Sequence, residues 1–201
     1  MSDIAWPTGR AFAWAAYAWG LRANDRAWES ALNGSVQTVS IPGSRWAVTM
    51  QFGAQSAAER AQLEAVLMRA RRQHRIVMPR LDRPRPRGTV ALTGVTLSVA
   101  AAQFATQITL AGCGAGATLL AGDMLGIGSQ LCMVANNATA SGTGVAVVTL
   151  THELRAAAAA GAGVVLDQPT ARFVQASNQF ESTWEGTHYP GVTVELQEVF
   201  V

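Results

Sequence analysis

Nine residues, SRWAVTMQF from Ser44 to Phe52, constrain the fold more than any other stretch of the chain. Trp46, Val48, Met50 and Phe52 alternate with Arg45, Ala47, Thr49 and Gln51, the period of two that lets a β-strand bury one face. A lone strand with one apolar face is not stable, so the neighbouring sequence must cover it. Directly after it, Ser56 and Glu59 stand in the S-x-x-E spacing of a helix capping box. Leu63, Val66, Leu67 and Ala70 then recur at i, i+3, i+4 and i+7, one apolar stripe on an amphipathic helix. Arg69, Arg71 and Arg72 fall in its expected last turns, where cations complement the helix dipole. Ile76, Val77 and Met78 predict a short strand ended by Pro79.

Upstream, Asn33-Gly34 signals a turn, SVQTVSI favours a strand, and Pro42-Gly43 signals a second turn. The expectation is a hairpin between SVQTVSI and the Ser44–Phe52 strand. The spacing of Trp14, Tyr17 and Trp19 matches neither a clean helix nor a clean strand. At the far end, Val192, Val194 and Leu196 alternate with Thr193, Glu195 and Gln197. This last strand needs a sheet to join, and the simplest place is beside the hairpin.

Between these parts the composition changes. RLDRPRPRG, Arg80 to Gly88, reads as a linker: Pro84 and Pro86 stiffen it, and like charges on Arg80, Arg83, Arg85 and Arg87 extend it. Residues 88–167 are rich in Gly, Ala, Val and Thr, nearly free of charge, and broken by turn signals at the spacing of a small β-barrel or sandwich. The fold class expected is mainly β with an α+β core. Residues 1–87 and 168–201 would form one discontinuous domain with a flanking helix, and residues 88–167 an inserted β domain.

Catalytic chemistry is hard to place. His74, His152 and His188 show no HExxH pattern and no Cys/His ligand spacing. There is no GxSxG nucleophile elbow. Gly114 to Asp123 is Gly-rich but lacks GxGxxG, and no GK[ST] follows it. Asp123 and Asp167 are isolated acids rather than a hydrolytic pair. Cys113 and Cys132 are not in CxxC spacing; two buried free thiols are the simpler state, with their pairing left open. No enzyme activity, metal or cofactor is expected. No apolar stretch is long enough for a membrane helix, and the first residues lack the basic start and apolar core of a signal peptide.

Charge and aromatic content point elsewhere. All fifteen basic residues are Arg. Thirteen of them face six acids in residues 1–88, a net +7, whereas residues 89–201 hold two against seven, a net −5. A basic half and an acidic half suit a head-to-tail contact between copies. Six Trp in 201 residues add interface-prone side chains. The candidate subunit-interface residues are therefore Arg80, Arg83, Arg85, Arg87, Trp14 and Trp19. Arg density could also serve phosphate backbones, but no recognition signature accompanies it, and nucleic acid is not expected as a specific ligand.

The order PGSRWAVTMQF, then SAAERAQLEAVLMRARRQHRIVMP, then a closing VTVELQEVF resembles the distal tail proteins of long-tailed bacteriophages and the lambda-like minor tail protein M family. The resemblance spans residues 35–82 and 190–201. It implies a β-sandwich-like ring domain with a flanking helix and a homo-oligomer, expected to be a hexamer. It further implies a virion location at the distal end of the tail, assembled in the host cytoplasm. The implied partners are the tail tube protein, the hub and tip proteins and the tape measure protein. It carries no catalytic residues. The alternative is a β-rich module recognising a host-surface glycan or protein through residues 88–167, which contain no Trp or Tyr and only Phe104 as an aromatic.

Overall fold

A computed structural model describes residues 2–7, 9, 12–70, 74–177 and 180–200. The chain is mainly β, with one α-helix among the described residues. It divides into two compact units. The first comprises residues 1–22, 45–78 and 172–201; the second comprises 23–44 and 79–171.

The first unit is built on a six-stranded sheet. Its strands are β1 (Ser2–Ala5), β2 (Ala16–Arg22), β5 (Arg45–Phe52), β6 (His74–Pro79), β15 (Thr170–Gln175) and β16 (Val192–Glu198), in the order β1-β6-β15-β16-β5-β2. β1 pairs with β6 in parallel, whereas β15 with β16, β16 with β5 and β5 with β2 run antiparallel. The closing strand β16 joins β5 as its alternation requires. Val194 faces Met50 and Leu196 faces Val48, and all four are buried. Trp46, Phe52, Ile76, Met78 and Phe173 complete that face.

The expected hairpin is not formed. SVQTVSI becomes β4 (Val36–Ser40), which pairs with β3 (Asp25–Glu29), while β5 takes β2 and β16 as neighbours. The Asn33-Gly34 turn closed a different hairpin from the one read around Pro42-Gly43. Turn residues specify a reversal locally, but the partner strand is chosen by which apolar face it can share.

Helix α1 (Ala57–Arg69) starts as its capping box dictates. Ser56 Oγ accepts the Glu59 N–H at 3.4 Å, and Glu59 Oε2 accepts the Ser56 N–H at 3.0 Å. Leu63, Leu67 and Ala70 are buried, and Gln175 of β15 donates to the Leu67 carbonyl at 2.7 Å. Arg71 and Arg72, expected in the last turn, lie outside the described residues, and Ala70 is the C-cap.

The second unit is not a closed barrel. Besides the β3–β4 pair, its described strands fall into two three-stranded sheets and one two-stranded sheet. These use β7 (Thr96–Leu97), β8 (Gln107–Ala111), β9 (Thr118–Leu119), β10 (Met124–Ile127), β11 (Gln130–Met133), β12 (Ala138–Thr139), β13 (Ala146–Thr149) and β14 (Val164–Val165). Strands this short, in a sequence this rich in Gly and Ala, cannot carry a continuous ladder around a barrel. Their inward side chains still meet in one core that includes Leu97, Leu110, Leu125, Cys132, Val148 and Leu166.

Candidate subunit interface

The Arg80–Gly88 segment is not a free tether. Each of its four arginines lies beside a carboxylate of the second unit, Arg80 and Arg83 sharing one, so the repulsion expected from sequence is largely offset. Arg80 holds Asp82 with two bonds, Nε to Oδ1 at 2.8 Å and Nη2 to Oδ2 at 3.1 Å. Arg83 Nε reaches the same Asp82 Oδ2 at 3.3 Å. Arg85 Nε donates to Asp167 Oδ1 at 2.7 Å, and the neighbouring Gln168 N–H donates to the Pro84 carbonyl at 3.0 Å. Burial opposes ionisation of Asp82, but the hydrogen bond and charge of Arg80, with Arg83 beside it, hold its carboxyl below the usual range.

Asp123 fastens the end of the segment. Its side chain is buried, Oδ1 accepts the Arg87 N–H at 3.0 Å, and Oδ2 accepts the Leu120 N–H at 2.8 Å and the Gly88 N–H at 3.4 Å. Arg87 Nε lies 3.5 Å from Oδ1, and its Nη2 donates to the Ala121 carbonyl. Gly88 has to be glycine here, because a Cβ would sit 1.9 Å from the Thr118 carbonyl oxygen.

Trp14 and Trp19 have different surroundings. Tyr17, Trp19 and Leu21 alternate along β2 opposite Met50, Val48 and Trp46 of β5. The Trp19 ring packs 5.4 Å from Trp46 and edge-on to Phe173 at 5.6 Å, so its body belongs to the core of the first unit. Trp14 lies before the strand, 5.2 Å from Tyr17, and is 39% exposed. The Y-x-W-x-L alternation was the signal for β2.

The feature that sequence reasoning missed is the β3–β4 hairpin. From Ala23 to Val39 every residue is exposed except the half-buried Ser30. Trp28 is 52% exposed, Leu32 99%, Val36 61% and Val39 49%. The register pairs Arg26 with Val39 and Trp28 with Gln37 on one face, and Ala27 with Thr38 and Glu29 with Val36 on the other. Turn geometry supports the loop: Gly34 has φ +65°, and the Ser35 N–H donates to Asn33 Oδ1 at 3.1 Å. The chain leaving the hairpin is held where Arg155 Nη2 donates to the Ser44 carbonyl at 3.1 Å.

The histidines and cysteines are dispersed through the fold. His74 lies on β6, with Nδ1 2.6 Å from Ser2 Oγ. His152 is buried, and burial followed by the Arg155 charge pushes its pKa down to about 4. Cys113 and Cys132 are buried and free, and burial pushes the Cys113 thiol up. On the outer face of the first sheet, the Arg172 hydrogen bond at 2.9 Å, with Arg75 at 3.1 Å, holds Asp3 below the usual carboxylate range. Among the described residues no group of three or more His, Cys, Asp or Glu could hold a metal ion. Nor is any helix long and apolar enough to cross a membrane.

No family model matches the chain, and no curated protein matches it.

Proposed function

We propose that this chain is a structural subunit of a phage tail tip, self-assembling into a ring that joins the tail tube to the distal hub and fibres. One observation carries the self-assembly: the β3–β4 hairpin exposes Trp28, Leu32, Val36 and Val39 while making no sheet with any other described strand. An isolated two-stranded hairpin is at best marginally stable in water, and this one exposes apolar side chains on both faces, Trp28 and Val39 on one and Val36 on the other. A partner surface supplies the missing cover. The Arg-rich segment and the exposed Trp14 add the residue types that dominate interface energetics. The assignment to a tail tip rests on the order of the strand, helix and closing strand set out above.

The test is the solution mass by light scattering on a sizing column, for the wild type and for Trp28→Ser/Leu32→Ser. The wild type is expected near six times 21.1 kDa, and the double variant as a folded monomer with an unchanged far-UV spectrum. A wild type that stays monomeric from micromolar to millimolar concentration overturns the self-assembly reading. A ring that adds to neither purified tail tubes nor hub proteins overturns the tail-tip assignment.

A further inference from the structure

We propose that a notch formed by Arg83, Gly122 and Arg87 receives a carboxylate from the hairpin of a neighbouring copy, with Glu29 as the inserted group. The inference rests on the self-assembly reading and names the surface that meets the hairpin.

The notch is defined by a missing side chain. Gly122 sits at φ +90°, and a Cβ there would lie 3.2 Å from Arg83 Nη1 and 3.7 Å from Arg87 Nη2. The two guanidinium nitrogens are therefore at most 6.9 Å apart, over a residue that offers them no steric wall. Two hydrogen bonds of about 2.9 Å to the two oxygens of one carboxylate span such a gap.

Charge counting shows why the notch attracts an anion. Four guanidiniums, on Arg80, Arg83, Arg85 and Arg87, share three carboxylates, on Asp82, Asp123 and Asp167. Arg80 already takes both oxygens of Asp82, so Arg83 keeps only one 3.3 Å contact to Oδ2. Asp123 spends its oxygens on three backbone N–H groups before it meets Arg87 at 3.5 Å. The Arg83 and Arg87 side chains are 38% and 49% exposed, and although Arg87 Nη2 already gives one hydrogen to the Ala121 carbonyl, its second hydrogen is left for the notch.

The occupant follows from the carboxylates that the exposed hairpin carries. Asp25 and Glu29, two of several described acids outside the ion pairs, are exposed and share one face of the hairpin with Ala27. Glu29 is the one beside the apolar end of the hairpin, opposite Val36 and three residues before Leu32. Docking that end buries apolar area while bringing a carboxylate to two half-neutralised arginines. Both gains fall on the same contact.

The experiment is a charge swap. E29R, R83E, R83Q and E29R/R83E are compared with the wild type by concentration-dependent light scattering, with far-UV spectra and melting curves to establish folding. Like charges across a contact oppose association, so E29R and R83E are each expected to weaken it at least about tenfold. R83Q should weaken it less, and E29R/R83E should recover most of the loss. The inference is overturned if the folded single variants associate within about twofold of the wild type, or if the double variant is no better than the worse single. Loss in R83E but not in E29R also overturns it, because the notch then takes another carboxylate. A monomeric wild type overturns the self-assembly reading and the notch with it, whereas an assembling wild type with indifferent variants overturns the notch alone.

Discussion

Replacing Asp123 with Ala should unfasten the end of the Arg-Pro segment from the Leu120–Asp123 turn within the second unit. The carboxylate accepts two well-formed backbone bonds, from Arg87 at 3.0 Å and Leu120 at 2.8 Å, and a longer one from Gly88 at 3.4 Å. A hydrogen bond to a charged group contributes about 1.5–3 kcal/mol net, and a buried donor left unsatisfied loses its whole solvation. Relief is limited, because the Gly88 backbone is held against the Thr118 carbonyl and cannot swing out to water without breaking that approach. Counting two full bonds and treating the third as small, Asp123→Ala should cost about 3–5 kcal/mol. Asp123→Asn keeps one acceptor oxygen but turns an N–H₂ toward a backbone donor, and should cost about half as much. Urea unfolding followed by far-UV circular dichroism measures the loss, and amide hydrogen exchange localises it to Arg87, Gly88 and Leu120. A two-unit chain need not unfold in one step, so the exchange readout is the decisive one. A loss below about 1 kcal/mol, with those three amides as protected as in the wild type, would refute the account of Asp123 as the fastening group.

Two further outcomes follow from groups that burial or local geometry singles out. His152 titrates at about 4 when folded and near 6.5 when unfolded, so between those values the unfolded chain binds the extra proton. Its share of stability, about 3 kcal/mol, is complete above pH 6.5 and lost progressively toward pH 4; His152→Gln should flatten that part of the pH–stability curve, and an unchanged slope would count against it. Ser56→Ala removes the cap of α1 and should lower the stability of the first unit by about 1 kcal/mol in a denaturant titration, with the helical signal otherwise retained. No change on that substitution would mean that Glu59 alone holds the first turn.

Local features were legible from the sequence because their causes lie within a few residues. The capping box of α1, the stripe of Leu63 and Leu67, the alternation in β5 and β16 and the return of the closing strand to the first sheet all follow from short-range pattern and from the need to bury one face. Strand partners were harder. The turn at Asn33-Gly34 was visible, but Asp25–Glu29 carries two acids and an Arg, which hid β3 and therefore the hairpin. Ser2–Ala5 gave no sign of its parallel pairing with His74–Pro79, more than seventy residues away. The arginines of the Arg80–Gly88 segment show the same division most clearly. Their number, their Pro-broken spacing and the excess of positive charge are written in the chain order alone. Which carboxylates neutralise them is fixed by folding, since Asp123 and Asp167 lie far along the chain and arrive through the packing of an apolar core that charge does not direct. Apolar periodicity is written locally because burial acts on each element's own face, whereas ion pairing depends on distances that exist only once those faces have met.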